Sequence, residues 1–456
     1  MAGGWLSNRS EAGDTRARAR KNRGASTEAK AESPTVRPKP GEIFAGRLLA
    51  AGKDADACVK LAQWARVNGL DHEYVLALRR ALQIDSDHTE ATEQLHRCRQ
   101  RLYYLPTNNE AAKNILAEMG PGFRIMRTRH YRICYNCSGV FAEICGDLLE
   151  EVYHGFMAFF HDRGLEPAPI TDRLEVVLFD NRDEFRRYAG AISAEMAGSA
   201  GFYYPSIDRS YFYDSINNPN YRENYRRLQE ARDELSRNRE KVQQNTNLTV
   251  RWTVTDADGI RKELNNDEMA RELDRQEQIL LAQERELWEV YRSLNISITV
   301  HEATHQLAYS CGIHSRYYNN PKWLVEGLAL YFEPAAVGKW LGPGQVHTER
   351  LTTFCQVDRK TTRSAGSRLE ELISTDDLFD LSNSRASAAY ADAWALFYYL
   401  SRQQHEALFD YIYDLSLRIA DTPYTARQRR NDFDNYFGHL ELLEHRWLAH
   451  MAGVTK

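Results

Sequence analysis

Hydrophobic and polar positions repeat with two different periods along the chain. Residues 42–103 repeat their apolar positions every three or four residues, which predicts helices. From about residue 120 the pattern becomes mixed, and an amphipathic helix is predicted over 138–163. Two-residue alternation or short apolar runs predict strands over 123–136, 173–179, 201–206 and 210–214. We therefore expect an α+β protein with a helical N-terminal extension.

The helical extension contains the stretches WARVNGL and ALRRALQIDSDHTEA, which resemble one tetratricopeptide-like helical hairpin. Stacked repeats of this kind need about three copies for independent stability. We therefore interpret residues 42–103 as a helical extension that packs on the main domain at 120–456. A peptide-binding adaptor is the alternative interpretation.

A charged insertion interrupts the main domain at residues 219–287, which we call the arm. It is dense in Arg, Glu, Gln and Asn and predicts two long exposed helices, with a strand over 248–256 between them. We interpret the arm as a solvated helical pair that projects from the domain. The alternative is a surface that binds a protein partner.

Composition and charge narrow the class of protein. Residues 1–40 hold nine Lys or Arg and four Asp or Glu with almost no large apolar residues, which predicts a disordered basic tail. The net charge of the whole chain is −5, which argues against general nucleic-acid binding. No apolar run approaches the ~18 residues that span a bilayer, so no integral membrane segment is expected. No secretory signal follows the basic residues, and the expected location is cytoplasmic.

One motif carries candidate chemistry. One helical stripe runs from the second arm helix into two histidines. Its positions are Leu287, Tyr291, Leu294, Ile298, His301, His305 and Ala308. The histidines belong to an HExxH motif in which His301 and His305 share one helix face, so that both can bind one Zn²⁺. Glu302 between them can act as general base on a metal-activated water. The alternative is a pair of structural core histidines beside a solvent-facing Glu.

A second apolar helix supplies a third candidate ligand. It is predicted between Pro321 and Pro334 and carries only two acids, Glu326 and Glu333, seven residues apart on one face. A buried carboxylate needs a partner, and Zn²⁺ is that partner for Glu326. Glu333 can hold the far nitrogen of a zinc histidine, or it can be a surface residue at the helix end.

HEATHQL, followed by a helix with WLVEGLALYFE and with twenty residues between His305 and Glu326, resembles the gluzincin clan of zinc metallopeptidases. The nearest likeness is to an uncharacterised bacterial peptidase MA-like family that joins HEATHQL to WLxEGLAxYFE. The resemblance extends over about 120–452. It implies a small twisted sheet over the metal helix, a helical C-terminal lobe, one Zn²⁺ per chain, and a peptide or protein substrate.

The resemblance also implies roles for individual residues. His301, His305 and Glu326 match the zinc ligands, Glu302 matches the base, and Glu333 matches an acid that supports a zinc histidine in aminopeptidase-like members. Tyr390 matches an oxyanion-stabilising tyrosine on a downstream helix, with core packing as its alternative. The chain lacks the GxMxN motif with which aminopeptidases recognise an amine.

We expect the GFYYP strand to offer its edge to an extended peptide through Gly201, Phe202 and Tyr203. The expected function is therefore a zinc metallopeptidase of gluzincin type. The alternative is a catalytically silent zinc-containing protein that binds partners through the extension or the arm.

Overall fold

The computed structural model of the protein describes residues 40–454, apart from 69, 101–104, 106, 195, 246–249, 256–260, 318, 357–366, 381–383 and 419–423. The predicted disordered tail lies, except for Pro40, outside the described residues. Within them the chain is a mixed α+β structure in which helices predominate.

The N-terminal region consists of five helices: α1 (Pro40–Ala51), α2 (Ala55–Val67), α3 (Asp71–Ile84), α4 (Thr89–Gln100) and α5 (Asn109–Met119). The first four share a core around Phe44, Ala62 and Leu78, which also takes in Ala168 and Leu417 from the rest of the chain. The extension therefore packs against the main domain.

A five-stranded sheet lies at the centre of the main domain, with strands β1 (Arg124–Arg127), β2 (Tyr131–Tyr135), β3 (Leu174–Phe179), β4 (Gly201–Tyr204) and β5 (Arg209–Tyr213). The strand order is β1-β2-β3-β5-β4. The central pairs β2–β3 and β3–β5 are parallel, and the outer pairs are antiparallel. The stretch 123–136, predicted as one strand or hairpin arm, holds both strands of the β1–β2 hairpin, and the other strands lie within two residues of their predicted ends. Strand β4 is an edge strand.

Helices cover both faces of this sheet. Two helices follow β2 and β3 along the chain, α6 (Gly139–His161) and α7 (Arg182–Ile192). Val176 and Leu178 of β3 belong to the main core with α6, whereas Val177 and Phe179 pack with Phe185 of α7 on the opposite face. Burial on both faces explains why residues 176–179 of β3 are all apolar.

The arm is built from α8 (Pro219–Gln244), the hairpin strands β6 (Trp252–Thr255) and β7 (Arg261–Leu264), and the first part of α9 (Asn266–Ser310). It has a small core of its own around Leu235, Met269 and Leu273. The strand predicted over 248–256 lies partly outside the described residues, and its described part is β6.

Helix α9 is 45 residues long and runs without a break from the arm into the main domain. The helical stripe predicted from Leu287 onwards lies on this helix, and its first members, Leu287 and Tyr291, are half-buried. Leu294 is 38% exposed, and from Asn295 onwards most residues of the helix are buried. The exposed apolar residues of this stretch, Trp288, Val290 and Leu294, lie at the base of the arm.

The remaining elements form a helical lobe beside the buried, C-terminal part of α9. They are α10 (Lys322–Phe332), a short hairpin of β8 (Ala335–Ala336) and β9 (Lys339–Trp340), α11 (Thr348–Gln356), α12 (Ser367–Ser374), α13 (Ser384–Gln403), α14 (His405–Ser416), α15 (Ala426–Phe437) and α16 (Leu440–Val454). The sequence did not predict the β8–β9 hairpin. None of the described helices is long and apolar enough to cross a bilayer.

Candidate metal centre

The two histidines of the HExxH motif face each other on the C-terminal part of α9. Their Nε2 atoms are 3.1 Å apart, and their rings meet edge to face. The helix is fixed to the sheet by Gln306, whose buried amide donates to the backbone carbonyls of Glu175 and Asp208 at 3.0 and 2.9 Å. Sequence analysis had not recognised this role of Gln306.

Glu326 on α10 completes a cluster of three potential metal ligands. Its Oε2 lies 3.4 Å from His301 Nε2 and 3.6 Å from His305 Nε2. The three residues offer ligand atoms that all lie within 4.8 Å of one another, close enough to hold one metal ion. The structure therefore brings together the three residues that the two sequence motifs had singled out.

Helix α10 can support Glu326 because the next residue is a glycine. A Cβ atom on Gly327 would lie 2.7 Å from the carbonyl oxygen of Ala393 and 3.0 Å from Cβ of Phe397. The absence of a side chain lets α10 and α13 pack at close range. The neighbouring helix thus sets the position of the third ligand.

Glu333 lies at the C-terminal end of α10 and contacts two histidines at once. Its Oε2 is 2.9 Å from Nδ1 of His301, and its Oε1 is 3.2 Å from Nε2 of His347. The Glu333 side chain is only 15% exposed, so it is not a surface residue. The contact with His301 leaves the Nε2 side of that ring for a metal. No spacing in the sequence had indicated the contact with His347.

The electrostatics of the cluster favour a cation. Burial lowers the pKa of His301, but hydrogen bonds with Glu326 and Glu333 outweigh this and raise the pKa well above its usual value. Burial raises the pKa of Glu326, but the imidazoles of His305 and His301 hold it well below its usual range. Glu326 and Glu333 are therefore anionic, and the positive charge that they hold on the imidazoles is the charge that a bound cation would supply instead.

Glu302 is buried on α9 next to the edge strand. Burial raises its pKa, against the lowering effects of His301, His305 and the backbone N–H of Tyr203. A carboxylate with a raised pKa is better matched to proton transfer near neutral pH. The structure thus places the predicted base beside both histidines and beside the backbone of β4.

Strand β4 approaches α9 closely because it begins with a glycine. A Cβ atom on Gly201 would lie 2.8 Å from Cγ2 of Ile298 and 3.3 Å from Cγ of Glu302. The Phe202 ring packs into the core on the far face of the sheet, where it stacks on Tyr211. The side chain of Phe202 therefore faces away from α9, and only its backbone belongs to the predicted peptide-binding edge.

Two tyrosines differ in their relation to the cluster. Tyr390 lies on α13, where its ring meets Phe379 edge to face at 5.2 Å and lies 5.7 Å from the Arg350 guanidinium carbon. Its catalytic role stays a prediction. Tyr309 lies one turn after His305, stacks on Tyr203 at 5.7 Å, and lines a cavity of about 480 Å³ together with Glu326. Sequence analysis did not single out Tyr309, although it continues the i, i+4 series of the two histidines.

His314 follows α9 and is completely buried against Tyr309, with ring centroids 5.3 Å apart. Burial, together with the nearby His305, lowers its pKa to about 3. Neither ring nitrogen has a hydrogen-bond partner among the described residues. His314 is therefore a neutral imidazole close to the candidate metal centre.

A second group of residues also has the spacing of metal ligands. It consists of His130, Glu150 and His154, on the β1–β2 turn and on α6. Glu150 already accepts hydrogen bonds from the backbone N–H and ring of His130 at 2.6 Å and from the Thr128 hydroxyl at 2.5 Å. These contacts fix the turn to α6, and we interpret the group as a structural clamp.

Comparison with known proteins gives one family match. A family model described as a protein of unknown function (DUF1570) matches residues 295–420, from the start of the buried half of α9 to just beyond α14. No curated protein and no solved structure matches the chain. The matched range contains the candidate ligands, Glu302, Glu333 and Tyr390.

Proposed function

We propose that the protein is a zinc-dependent metallopeptidase of gluzincin type. The observation that carries this proposal is the cluster of His301, His305 and Glu326 ligand atoms within 4.8 Å, with the buried acid Glu302 beside it. Helix α9 supplies the two histidines and Glu302, α10 supplies Glu326, and β4 passes alongside. A gluzincin-like fold is part of the same proposal.

The residues of the cluster fit zinc by their chemistry. Two imidazole nitrogens and one carboxylate are the ligand set of many catalytic zinc sites, in which a fourth position stays open. Glu333 holds Nδ1 of His301 at 2.9 Å, which leaves Nε2 for the metal. A bound Zn²⁺ acidifies water and polarises a carbonyl oxygen.

The protein residues then divide the remaining tasks. Glu302 takes a proton from the attacking water and delivers it to the nitrogen of the leaving amine, which breaks the peptide bond without a charged amide leaving group. The edge of β4 aligns an extended peptide through main-chain hydrogen bonds. The contacts of Glu333 keep the His301 ring in a fixed orientation throughout.

Metal analysis tests the first part of the proposal. Purified protein, stripped of metal and dialysed against Zn²⁺, is expected to hold one zinc per chain, and His305→Ala should lose most of it. His154→Ala is the matched control from the other histidine group and should keep its zinc. Wild-type protein that folds but binds no zinc refutes the proposal.

Hydrolysis of a broad peptide library tests the second part. Glu302→Gln should retain zinc, because Glu302 is not a ligand, yet lose at least about 100-fold in kcat/KM. A wild-type protein that binds zinc and cleaves nothing in the library favours the alternative of a catalytically silent zinc protein. Equal cleavage by wild type and Glu302→Gln contradicts the role of Glu302.

A further inference from the structure

The cavity beside Glu326 continues from the end of the edge strand. It has a volume of about 480 Å³, and Pro205 and Ser206, which directly follow β4, form part of its wall. Glu326 forms another part. A peptide chain that lies along β4 and reaches the metal centre therefore passes this cavity, and a side chain next to the scissile bond enters it.

Arg316 supplies a fixed positive charge to the cavity wall. Its Nη2 lies 2.8 Å from Oδ2 of Asp208, and its Nε donates to the carbonyl of Tyr309 at 3.3 Å. Asp208 itself is held by the hydroxyls of Tyr203 and Ser310. Within the part of the chain that the structure describes, no hydrogen-bond partner takes Nη1 of Arg316. The guanidinium is thus oriented in advance and still has donors to offer.

Lys322 supplies a second, adaptable cation. Its ammonium pairs with Asp380, whose side chain is 55% exposed. An exposed pair of this kind contributes little free energy and exchanges readily. Asp380 does not line the cavity, so Lys322 can turn to a ligand carboxylate at small cost.

The acids of the cavity wall are already neutralised. Besides Glu326, the wall contains Asp376, whose two oxygens accept from the buried guanidinium of Arg429 at 2.6 and 2.7 Å. Asp376 also accepts from the backbone N–H of Lys322 at 2.9 Å. Glu326 lies beside the imidazoles of His301 and His305, and in the proposed function it is a metal ligand. Acids and cations of the wall are thus both paired, but Arg316 still has Nη1 to offer and the partner of Lys322 is exposed to solvent, so donors remain available to a ligand.

We infer that this cavity is a specificity pocket for an acidic side chain adjacent to the scissile bond. The inference rests on the proposed function, since it places the pocket beside a zinc centre. The available donors of Arg316 and Lys322, beside acids that already have cationic partners, favour a carboxylate and disfavour an ammonium group. Asn319 and the Ser206 hydroxyl add neutral polar groups at the wall.

The test compares peptide hydroxamates that differ only in the residue next to the hydroxamate, which is Glu, Gln or Lys. Calorimetric titration of the zinc-loaded full chain is expected to give at least about 10-fold tighter binding for Glu than for Lys, with Gln between them. The values of kcat/KM for matched peptide substrates should follow the same order.

Variants connect this preference to the pocket. Lys322→Met and Arg316→Gln should each reduce the Glu-to-Lys affinity ratio several-fold without loss of zinc. Lys322 keeps its backbone contact with Asp376, and its side chain is 38% exposed, so that variant is expected to fold normally. Lys113→Met, on the exposed face of α5, is the matched control and should leave the ratio unchanged.

The outcomes separate the two proposals. Tight hydroxamate binding with equal or inverted preference for Glu and Lys overturns the acidic pocket and leaves the metallopeptidase intact. An unchanged ratio in both pocket variants overturns the assignment to this cavity. A wild-type protein that binds neither zinc nor hydroxamate refutes the proposed function, and the pocket with it.

Discussion

At the scale of single residues, Glu333 links the candidate metal centre to the helical lobe. One oxygen meets His301 and the other meets His347. Burial raises the pKa of Glu333, but its hydrogen bonds with both histidines outweigh this and hold the pKa far below its usual range. The carboxylate therefore stays ionised and orients the His301 ring.

We predict that Glu333→Gln retains zinc at saturating metal but binds it about 10–100-fold more weakly, with slower turnover. The amide keeps the shape of the side chain and loses its charge. Competition with a zinc-chelating dye measures the affinity. His347→Gln is a graded comparison that should have a smaller effect, because His347 does not contact His301 in this arrangement. Unchanged affinity and rate in Glu333→Gln would contradict the supporting role.

Protonation of Glu150 should destabilise the fold at acidic pH. Burial raises its pKa, but hydrogen bonds from His130 and Thr128 outweigh this and bring it to about 2, against an ordinary value of 4.5. A group whose pKa is lower in the folded state stabilises the fold above its unfolded pKa. This contribution is complete above about pH 4.5 and is lost as the pH falls towards 2.

We predict that Glu150→Gln lowers the free energy of unfolding at pH 7 by up to about 3 kcal/mol. The difference from wild type should shrink between pH 4.5 and pH 2, where the wild-type carboxylate also becomes neutral. Urea unfolding at a series of pH values measures it. Glu143→Gln, at an exposed position of the same helix, is the control and should show no such trend. A difference independent of pH would refute the assignment.

At the scale of elements, the contact between β4 and α9 decides how close the predicted peptide-binding edge comes to the base. Gly201 is the point of closest approach, since a Cβ there would meet Ile298, Glu302 and the carbonyl of Tyr211, all within 3.3 Å. The backbone of β5 and the side chains of α9 are closely packed here, so they cannot easily move apart to make room for a methyl group.

We predict that Gly201→Ala destabilises the protein by about 1–3 kcal/mol and reduces hydrolysis more than zinc binding. The strand must move away from Glu302, whereas the ligands on α9 and α10 are not displaced directly. Thermal unfolding, zinc content and kcat/KM are the measurements. Gly190→Ala on α7 is the control, because its Cβ would be at an ordinary 3.6 Å from Ala197. Equal effects of the two substitutions would contradict this account.

At the scale of the whole molecule, the N-terminal extension supports the segment that follows the metal helix. Arg79 of α3 is buried and donates to the carbonyls of Gly312 and Glu166. Tyr317 donates to Glu73, and its ring packs against Phe44. The connection between α9 and α10 is therefore held partly from outside the main domain.

We predict that a chain starting near Asn108 has a lower unfolding temperature and weaker zinc affinity than the full chain, because this support and its apolar cover are lost. A chain starting at Gly41 is the matched control, since the composition of the preceding residues supports no core, and it should behave like the full chain. Differential scanning calorimetry and zinc titration distinguish them. Identical behaviour of both truncated chains would show that the extension is dispensable.

The sequence alone determined the main elements and the ligand candidates. Periodicity placed the strands and the helices around them, because burial of one face imposes a spacing on apolar residues. HExxH specified His301 and His305 as neighbours, since residues i and i+4 share a helix face wherever the helix lies. The apolar helix at 322–332 pointed to Glu326, because an acid among apolar residues requires a partner.

Only the tertiary structure decided what surrounds these residues. The anchoring of α9 by Gln306 and the cavity of Arg316 and Lys322 join segments far apart in sequence. The contact of His347 with Glu333 spans the hairpin that follows α10. The spacing of residues within one element cannot predict such contacts, because they depend on how the elements pack against one another. The boundary at which α9 changes from exposed arm to buried helix is likewise set by the sheet and helices around it, and therefore the apolar stripe could not reveal it.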